Sequence, residues 1–495
     1  MERPVSEKQS DGTSAEPAET TVTHEENALH EDVYDISQNK RLNRILDLRI
    51  IPLCCWLYLL NFLDRGNIGN ARVLNQETGD DMLHQTRMTS TDYAITLSVF
   101  SLAYALFEVP SNWVMKHYVR PSVWLALLLG CWGVATIGFA GVRNYATVLA
   151  LRLLIGVFEA GFFPGIVYLI TIWYRHNERA LRIALVIAFC NLAGAFGGAI
   201  AYGIGHVNGA GGLQGFRWLF IIEGLITVVS VLPTLLILPD YPARARFLTI
   251  DDKRLAEDRL KERGGGYNRE HATRKEIIAT FVSPRMLAHY FAYRLNALPG
   301  LKIANVVLQG SFTFYSPTIV TGLGYKSIQA QLMTVPPWCI GFCVAISLSY
   351  SADRFDARGW HIVGASIVGG AGWLTAGLLP HDAYTSRYGC LCLAAVGAFP
   401  CAPSMTNWVT CNTPSLLTIP FAIAVHNSCA GIGQIIAQWI WKPAEASQGY
   451  PTGNFTCAAC CFFVAAVAAG LRLLYAKMNR DGARDARGEK RVWSY

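Results

Sequence analysis

Long apolar blocks, separated by polar loops, run through most of this sequence and constrain its fold more than any other feature. A helix that crosses a membrane needs roughly 20 mostly apolar residues. Stretches of this kind occur near residues 50–66, 93–113, 122–141, 147–170, 183–205, 218–238, 299–320, 329–350, 361–380, 388–410, 419–441 and 455–475. One block would fit a buried helix of a large soluble enzyme. Twelve in succession predict an all-α membrane protein.

The distribution of charge predicts how the chain is oriented. Only 16% of the 495 residues are charged, against about 25% in ordinary soluble domains. With both termini in the cytoplasm, about 31 basic residues fall inside and about 7 outside, as the positive-inside rule requires. The net charge of +7 is therefore a topological signal, and it does not indicate a nucleic-acid partner.

The spacing of the blocks predicts two halves of six helices each. A linker over 239–298 separates the halves, and its run from Asp251 to Arg263 resembles a solvated amphipathic helix. The N-terminus is rich in Glu, Ser and Thr, which predicts disorder. The predicted division is 1–44 disordered N-terminus, 45–238 first bundle, 239–298 linker, 299–475 second bundle and 476–495 cytoplasmic tail.

Ionisable residues within the predicted spans are the strongest functional signal. A charge in hydrocarbon costs several kcal/mol (about 3 on insertion scales) and is kept mainly where it binds or moves something. Asp64, Arg65, Arg152 and Glu159 are the candidates for substrate and proton binding. Arg152 and Glu159 are seven residues apart, so they share one helix face. The alternative is an ion pair that only locks helices together. Two further residues, Glu108 and Glu223, lie near span ends, and their roles stay open.

These residue types suit an anion that travels with protons. An arginine in a dry cavity is a strong bidentate partner for a carboxylate. A carboxyl group beside that arginine is held ionised until a substrate anion occupies the arginine. The carboxyl group then binds a proton more readily, so anion and proton binding favour each other. This coupling predicts symport.

Other chemistry finds no support in the sequence. There is no G-x-x-x-x-G-K-[ST] loop for ATP, no nucleophile elbow, no haem motif and no histidine cluster. We predict no enzyme activity, no cofactor and no bound metal. The Cys457, Cys460 and Cys461 cluster resembles half a metal motif, but it lies on an apolar helix and favours core packing. We also predict no structural disulfide.

Several motifs resemble those of one transporter family. They are NFLDRGNIGNAR (61–72), FEVPSNWVMK (107–116), LRLLIGVFEAGFFPG (151–165), IWYRHNERALR (172–182), FRWLFIIEG (216–224), LPDYPARARFLT (238–249), YSPTIVTGLGY (315–325), ADRFDARG (352–359) and GYPTGN (449–454). The chain from about residue 40 to 480 is identified by these motifs as similar to the anion:cation symporter family, and most of all to its fungal allantoate permease group. That family is a branch of the major facilitator superfamily.

The resemblance implies twelve transmembrane helices in two six-helix bundles around a central cavity, the major facilitator fold. It places Asp64, Arg65, Arg152 and Glu159 at positions that bind protons or the substrate anion in related carboxylate symporters. It also implies gating charges at the cytoplasmic ends of helices. These are Arg175, Arg179 and Arg182 after helix four, and Asp353, Arg354 and Arg358 between helices eight and nine. Ordinary positive-inside loop charges are the alternative for all six.

Two parts of the second half depart from the family pattern. NTPSLLTIPFA (412–422) has no basic pair and is followed by His426, which we interpret as a packed polar residue. RLNALPGLK (294–302) makes the start of helix seven unusually polar. Separately, Asn454-Phe455-Thr456 is an N-glycosylation sequon in the last external loop, which makes Asn454 a candidate glycan acceptor.

The predicted function is proton-coupled uptake of a small organic anion at a fungal plasma membrane. The partners are that anion, protons and the lipid bilayer, and we predict a monomer. Family members carry acids such as nicotinate, pantothenate and allantoate, and the sequence does not choose among them. Export of a secondary metabolite, from a biosynthetic gene cluster, is the alternative, because the same fold supports both directions.

Overall fold

Helices form at every predicted span in the computed structural model, which describes residues 36–261, 297–355, 357–412 and 430–480. We number the spanning helices α1 to α12. They are α1 Ile36–Val73, α2 Ser90–His117, α3 Pro121–Gly138, α4 Tyr145–Glu159 with Phe162–Trp173, α5 His176–Gly205, α6 Gly215–Val229 with Val231–Ile237, α7 Ala297–Thr321, α8 Ser327–Met333 with Val335–Arg354, α9 Arg358–Leu378, α10 Tyr384–Ala398 with Cys401–Asn412, α11 430–439 and α12 Pro451–Arg480. Within the described part of the chain, nine helices are long and apolar enough to cross a membrane.

The surface of these helices suits a bilayer. Large apolar side chains stand exposed along their outer faces, among them Leu106, Val109, Leu236 and Leu378. A water-soluble protein rarely shows contiguous apolar surface on this scale. Hydrocarbon requires each backbone to satisfy its own hydrogen bonds, and continuous helices do so. The fold is therefore that of an all-helical membrane protein, as predicted.

The chain divides into two compact units, residues 1–48 and 49–495. The described part of the first unit is the beginning of α1, and here the predicted disorder to residue 44 is wrong. Helix α1 begins at Ile36. Leu42 and Leu46, one turn apart, are fully buried. This four-residue apolar spacing continues directly into the first apolar block, which explains the earlier helix start.

Small residues let α2 and α4 approach closely. A Cβ atom at Gly156 would lie 2.7 Å from the Phe100 carbonyl oxygen, and one at Gly161 would lie 1.8 Å from Ser111 Oγ. Only glycine fits such contacts. Helix α4 also breaks next to Gly161, between Glu159 and Phe162. The close approach brings the buried charges of α4 against the aromatic side chains of α2.

The linker over 239–298 contains the predicted helix, Ile250–Lys261, but that helix is not solvated on all sides. Leu255, Ala256 and Arg259 are buried. Arg259 Nη2 donates to the carbonyl oxygen of Trp173 at 2.8 Å, so the helix packs against the end of α4. The prediction of a solvated helix overlooked this face, because four apolar residues among eight polar ones give a weak apolar pattern.

Candidate functional site

A buried ion pair joins α1 and α4 in the middle of the first half. Arg65 Nε donates to Glu159 Oε1 at 2.8 Å, and Arg65 Nη2 contacts the same oxygen. Arg65 is 8% exposed and Glu159 is 1% exposed. Removing one partner of a buried ion pair of this kind strongly destabilises the folded protein. The four predicted site residues therefore include one pair whose partners lie 94 positions apart in the chain.

Aromatic rings enclose the arginine of this pair. The Arg65 guanidinium lies 5.2 Å from the ring centroid of Phe62, 5.3 Å from that of Phe100 and 4.8 Å from that of Tyr104. Cations are attracted to the faces of such rings. The rings also exclude water, which strengthens the interaction between the arginine and any carboxylate that reaches it.

Arg152 lies near this pair on α4 but forms no ion pair with any of the described residues. It is 1% exposed, and its guanidinium sits 5.5 Å from the Phe100 ring and 5.7 Å from the Phe139 ring. Its Nε and Nη1 have no hydrogen-bond partner among the described residues. The helix face shared by Arg152 and Glu159 correctly predicted that both are buried. The shared face did not predict that Glu159 forms its ion pair with Arg65 and not with Arg152.

Asp64 occupies a different environment from its neighbour Arg65. Its Oδ2 accepts hydrogen bonds from Trp132 Nε1 on α3 and from Thr227 Oγ1 on α6, each at 2.9 Å. The carboxyl group is 5% exposed. No ion pair of Asp64 occurs among the described residues. The predicted set of four thus separates into an ion pair, an arginine without a counter-charge and a carboxyl group bound by neutral donors.

Glu108 and Glu223, whose roles the sequence did not decide, differ in how deeply they are buried. Glu223 is 2% exposed, and its Oε2 accepts a hydrogen bond from Asn67 Nδ2 on α1. Glu108 is only half-buried on α2. Of the two, Glu223 is the one enclosed within the first half.

A small cavity lies between α1, α5, α7 and α8, where the two halves meet. Its lining is uncharged and combines aromatic rings with hydroxyl and amide groups, contributed by Phe62, Asn70, Cys190, Thr313, Ser316, Thr334 and Trp338. Phe62 is shared between this lining and the wall around Arg65. Sequence reasoning missed these neutral residues because it searched the spans for charges. Polar residues inside the apolar block of α7 were the available signal.

The two halves contact each other at the end that carries the α1–α2 loop. Tyr93 OH donates to the Phe314 carbonyl oxygen at 3.3 Å, and Gln331 Nε2 donates to the Asn70 carbonyl oxygen at 3.2 Å. The Arg72 guanidinium lies 4.7 Å from the ring of Tyr93 and 5.4 Å from that of Tyr315. These contacts connect α1 and α2 of the first half with α7 and α8 of the second.

A second set of contacts joins α2 to α11 at the same end. Ser98 Oγ donates to Gln438 Oε1 at 3.0 Å, and Gln438 Nε2 donates to Ser101 Oγ at 2.9 Å. Trp439 Nε1 donates to Ser98 Oγ at 3.1 Å. Together the two sets close this end of the molecule.

The predicted gating charges after α4 contact their own half. Arg179 Nε donates to the Tyr174 carbonyl oxygen at 2.8 Å, and Arg182 Nη1 donates to that of Glu178 at 2.7 Å. Glu178 Oε2 lies 4.0 Å from Arg259 Nη1 of the linker helix. Burial lowers the pKa of the Arg259 guanidinium, with Arg175 and Arg182 adding to the shift and Glu178 opposing it. Arg175 lies at the start of α5, where its backbone N–H donates to Glu178 Oε2 at 3.1 Å.

The second predicted gating group lies at the junction of α8 and α9. Helix α8 ends at Arg354, which is exposed, and α9 begins at Arg358, which is half-buried. The backbone of Asp353 belongs to α8, and its side chain lies outside the described set. His426 and residues 413–422 also lie outside the described residues. A latch between the two gating groups stays a prediction.

Asn454 is not in a loop, as the sequon had suggested, but in the first turn of α12. Its side chain is 3% exposed, and Nδ2 donates to the carbonyl oxygens of Gly449 and Tyr450 at 2.9 and 3.0 Å. A glycan is attached through this nitrogen, so the geometry does not favour modification. Nearby, Cys457 and Cys461 are fully buried on α12, which agrees with a packing role.

An all-helical membrane fold whose two halves meet around an uncharged cavity, with buried charges in the first half, is the architecture of a membrane transporter. The profile of the Major Facilitator Superfamily matches residues 54–438. The chain belongs to this superfamily.

Relatives named as MFS transporters agree with this assignment. The MFS transporter prlL of Fungal sp. (strain NRRL 50135) is 46% identical over 443 residues, covering 89% of this chain and 88% of prlL. The MFS-type transporter cnsO of Penicillium expansum is 31% identical, covering 90% of this chain and 85% of cnsO.

The fold also matches solved transporters. A bacterial homolog of the human lysosomal transporter Spinster, in an inward-facing and occupied conformation, superposes with a TM-score of 0.62 at 15% identity, covering 87% of this chain and 97% of that one. The xylose transporter XylE from E. coli, in a partially occluded inward open conformation, gives a TM-score of 0.56 at 14% identity, covering 85% and 99%. These likenesses establish the fold.

Proposed function

We propose that this protein is a proton-coupled symporter that takes up a small organic anion across the plasma membrane by alternating access. The observation that carries the proposal is Arg152, a guanidinium that is 1% exposed, forms no ion pair with the described residues and leaves Nε and Nη1 without hydrogen-bond partners among them. Taking such a charge out of water costs several kcal/mol unless a partner compensates it, of order 3 or more. A substrate carboxylate supplies that partner, and Arg152 is positioned for it between two aromatic rings.

The Arg65–Glu159 pair provides the coupling. A carboxylate that reaches Arg65 competes with Glu159 for the same donors, which are Nε and Nη2. Once displaced, Glu159 is a buried carboxylate without a counter-charge, and binding a proton removes that cost. Anion binding at Arg65 and proton binding at Glu159 therefore favour each other. Asp64, held by neutral donors, is a further proton site in this scheme.

The orientation follows from the positive-inside rule, with both termini in the cytoplasm. The α1–α2 loop is then extracellular, and the contacts of Tyr93, Gln331 and Gln438 close the outer side. The two solved transporters described above are likewise inward-facing or inward open. In our proposal the charges at Arg175, Arg179, Arg182, Asp353, Arg354 and Arg358 close the opposite side when the outer end opens.

Adding a side chain at Gly198 should hold the outer end open. A Cβ atom there would lie 2.4 Å from Thr334 Oγ1 and 2.7 Å from the Gln331 carbonyl oxygen across the interface. In Gly198→Val, we expect a cysteine introduced at Ser316 to react with a membrane-impermeant maleimide several-fold faster from outside. Gly203→Val is the matched control, because a Cβ atom at Gly203 meets nothing within 4 Å on the same helix. Equal labelling in the two variants would contradict closure at this end.

In this proposal the substrate is an acid of the kind carried by the allantoate permease group, because the motifs of this chain resemble those of that group. The test is uptake in a fungal host that lacks its own acid permeases. Labelled nicotinate, pantothenate, allantoate and cysteine are supplied at pH 5 and pH 7. We expect one of these acids to accumulate, faster at pH 5, and accumulation to collapse with a protonophore. Absence of uptake for every compound would count against import.

Export of a secondary metabolite is the second candidate function. The observation that favours it is the cavity lining, where Phe62 and Trp338 lie among hydroxyl groups such as Thr313 and Ser316. An uncharged aromatic lining suits the body of a larger metabolite as well as that of a small acid. Efflux of a fed metabolite from expressing cells, without uptake of any acid in the panel, would favour export.

A further inference from the structure

Two buried carboxyl groups lie on α1 and α6, within the first half, and each is hydrogen-bonded to a side chain of the other helix. Asp64 and Asn67 lie one turn apart on α1, and Glu223 and Thr227 lie one turn apart on α6. Thr227 Oγ1 donates to Asp64 Oδ2 at 2.9 Å, and Asn67 Nδ2 donates to Glu223 Oε2. We call this arrangement the carboxyl ladder.

Each carboxyl group of the ladder has one oxygen that is satisfied and one that is not. Asp64 Oδ1 and Glu223 Oε1 have no hydrogen-bond partner among the described residues. The two residues are 5% and 2% exposed, so water does not solvate these oxygens. A buried carboxylate oxygen without a donor is costly when it carries charge and far less so when the group is neutral.

No basic residue forms an ion pair with either carboxyl group of the ladder within the part of the chain that the structure describes. Ionisable side chains on the helices around the ladder include Arg65 on α1, Cys131 on α3, Arg152 and Glu159 on α4, and Cys190 and Tyr202 on α5. Glu159 repels the charged form of Asp64, and Arg152 attracts it. Arg65 is engaged by Glu159, and Arg152 lies between Phe100 and Phe139. The group that acts electrostatically on Glu223 is Asp64, which has the same sign when ionised.

Two carboxyl groups in one dry site cannot both carry charge cheaply, so a proton is bound whenever the site is closed to water. We propose that Glu223 is a second proton-binding site of the transporter, loaded together with Asp64 through the carboxyl ladder. Asn67 is its positioning residue, since its amide holds Oε2 and leaves Oε1 for the proton. The inference rests on the proposed proton coupling and adds to it a carboxyl group that lies away from the substrate arginines.

The packing around Glu223 suits a carboxyl group that gains and loses a proton without a movement of its side chain. A Cβ atom at the next residue, Gly224, would lie 2.7 Å from Ile137 Cγ1 and 2.9 Å from the Ile137 backbone nitrogen. Helices α3 and α6 are therefore tightly packed at this level. We therefore expect the Glu223 side chain to keep its position, with Asp64 as the carboxyl group that acts on it electrostatically.

The test needs no substrate. Infrared difference spectra of the purified full-length protein are recorded between pH 9 and pH 6, where exposed carboxyl groups stay ionised. Protonated carboxyl groups have a carbonyl band that carboxylates and amides lack. We expect this difference band to fall by about half in Glu223→Gln and by about half in Asp64→Asn, and to vanish in the double variant, as two sites that share the signal require. Glu77→Gln, an exposed loop variant, should match the wild type.

Glutamine has the shape of a protonated glutamate, so Glu223→Gln should fold and melt like the wild type. An unchanged difference band in Glu223→Gln would show a permanently neutral, structural acid and overturn the proposal. Complete loss of the band in Asp64→Asn alone would overturn it too. So would a band that responds to added sodium at constant pH, because the ladder would then be a cation site. If no compound of the panel is taken up but the infrared band still falls by about half in Glu223→Gln, the proposed symport would be wrong and proton binding at Glu223 would stand.

Discussion

Transport should fall by about 100-fold in an Arg152→Gln variant, as expected when one partner of a buried charged contact is removed. The guanidinium is fully buried and has no anionic partner among the described residues, so in our proposal its counter-charge is the substrate itself. Glutamine keeps a polar side chain of similar reach but cannot neutralise a carboxylate. The loss should appear in uptake and in substrate exchange alike, since both require the anion to bind.

Stability separates this effect from simple misfolding. An unpaired buried charge destabilises a fold, so replacing it with a neutral group should leave the melting temperature unchanged or raise it. Arg152→Lys keeps the charge but loses the planar fork, and we expect intermediate transport. Arg143→Gln, an exposed arginine just before α4, is the matched control and should transport normally. If Arg152→Gln retained full transport, the assignment of Arg152 to substrate binding would be wrong.

Replacing Glu159 with glutamine should abolish the dependence of uptake on pH while sparing substrate exchange. Glutamine resembles the protonated carboxyl group, so Arg65 stays available to the substrate anion whatever the pH. The variant should also be less stable, by about 3 kcal/mol, because Arg65 loses its partner in a buried ion pair. Thermal unfolding of the purified protein measures the second effect, and the ratio of uptake at pH 5 to uptake at pH 7 measures the first.

A double-mutant cycle tests whether the pair acts as a unit. Arg65→Gln with Glu159→Gln removes both charges, so stability should return towards that of the wild type. Transport should not return, because Arg65 is itself a substrate contact in the proposal. Fully pH-dependent uptake in Glu159→Gln would remove this residue from the coupling mechanism. A double variant as unstable as the single one would show that Arg65 and Glu159 do not stabilise each other.

The helices could be predicted from the sequence because their cause is local. Hydrocarbon demands about 20 apolar residues in helical conformation, and that requirement is met within each segment of chain. The predictions failed where apolar and polar residues alternate over short distances. Helix α1 begins at Ile36 because Leu42 and Leu46 are buried, and the buried residues of the linker helix include polar ones such as Asp252 and Arg259.

The sequence predicted which residues belong to the candidate site, but it did not predict which of them form ion pairs or hydrogen bonds with each other. Arg65 and Glu159 are 94 positions apart, and no helical period relates them. Helix spacing instead suggested Arg152 and Glu159 as partners. The contact of Thr227 with Asp64 spans 163 positions, so the carboxyl ladder was likewise invisible to any local pattern.

By itself, the sequence determined that this chain is a twelve-helix membrane protein with charges buried in its first half. Those properties depend on which residues hydrocarbon accepts, and composition within each segment answers that. Only the tertiary structure decided which charges pair, that Arg152 forms no ion pair among the described residues, that Asn454 is buried and where hydrogen bonds join the two halves. Each of these depends on side chains brought together from distant helices, where burial and distance set the electrostatic energy.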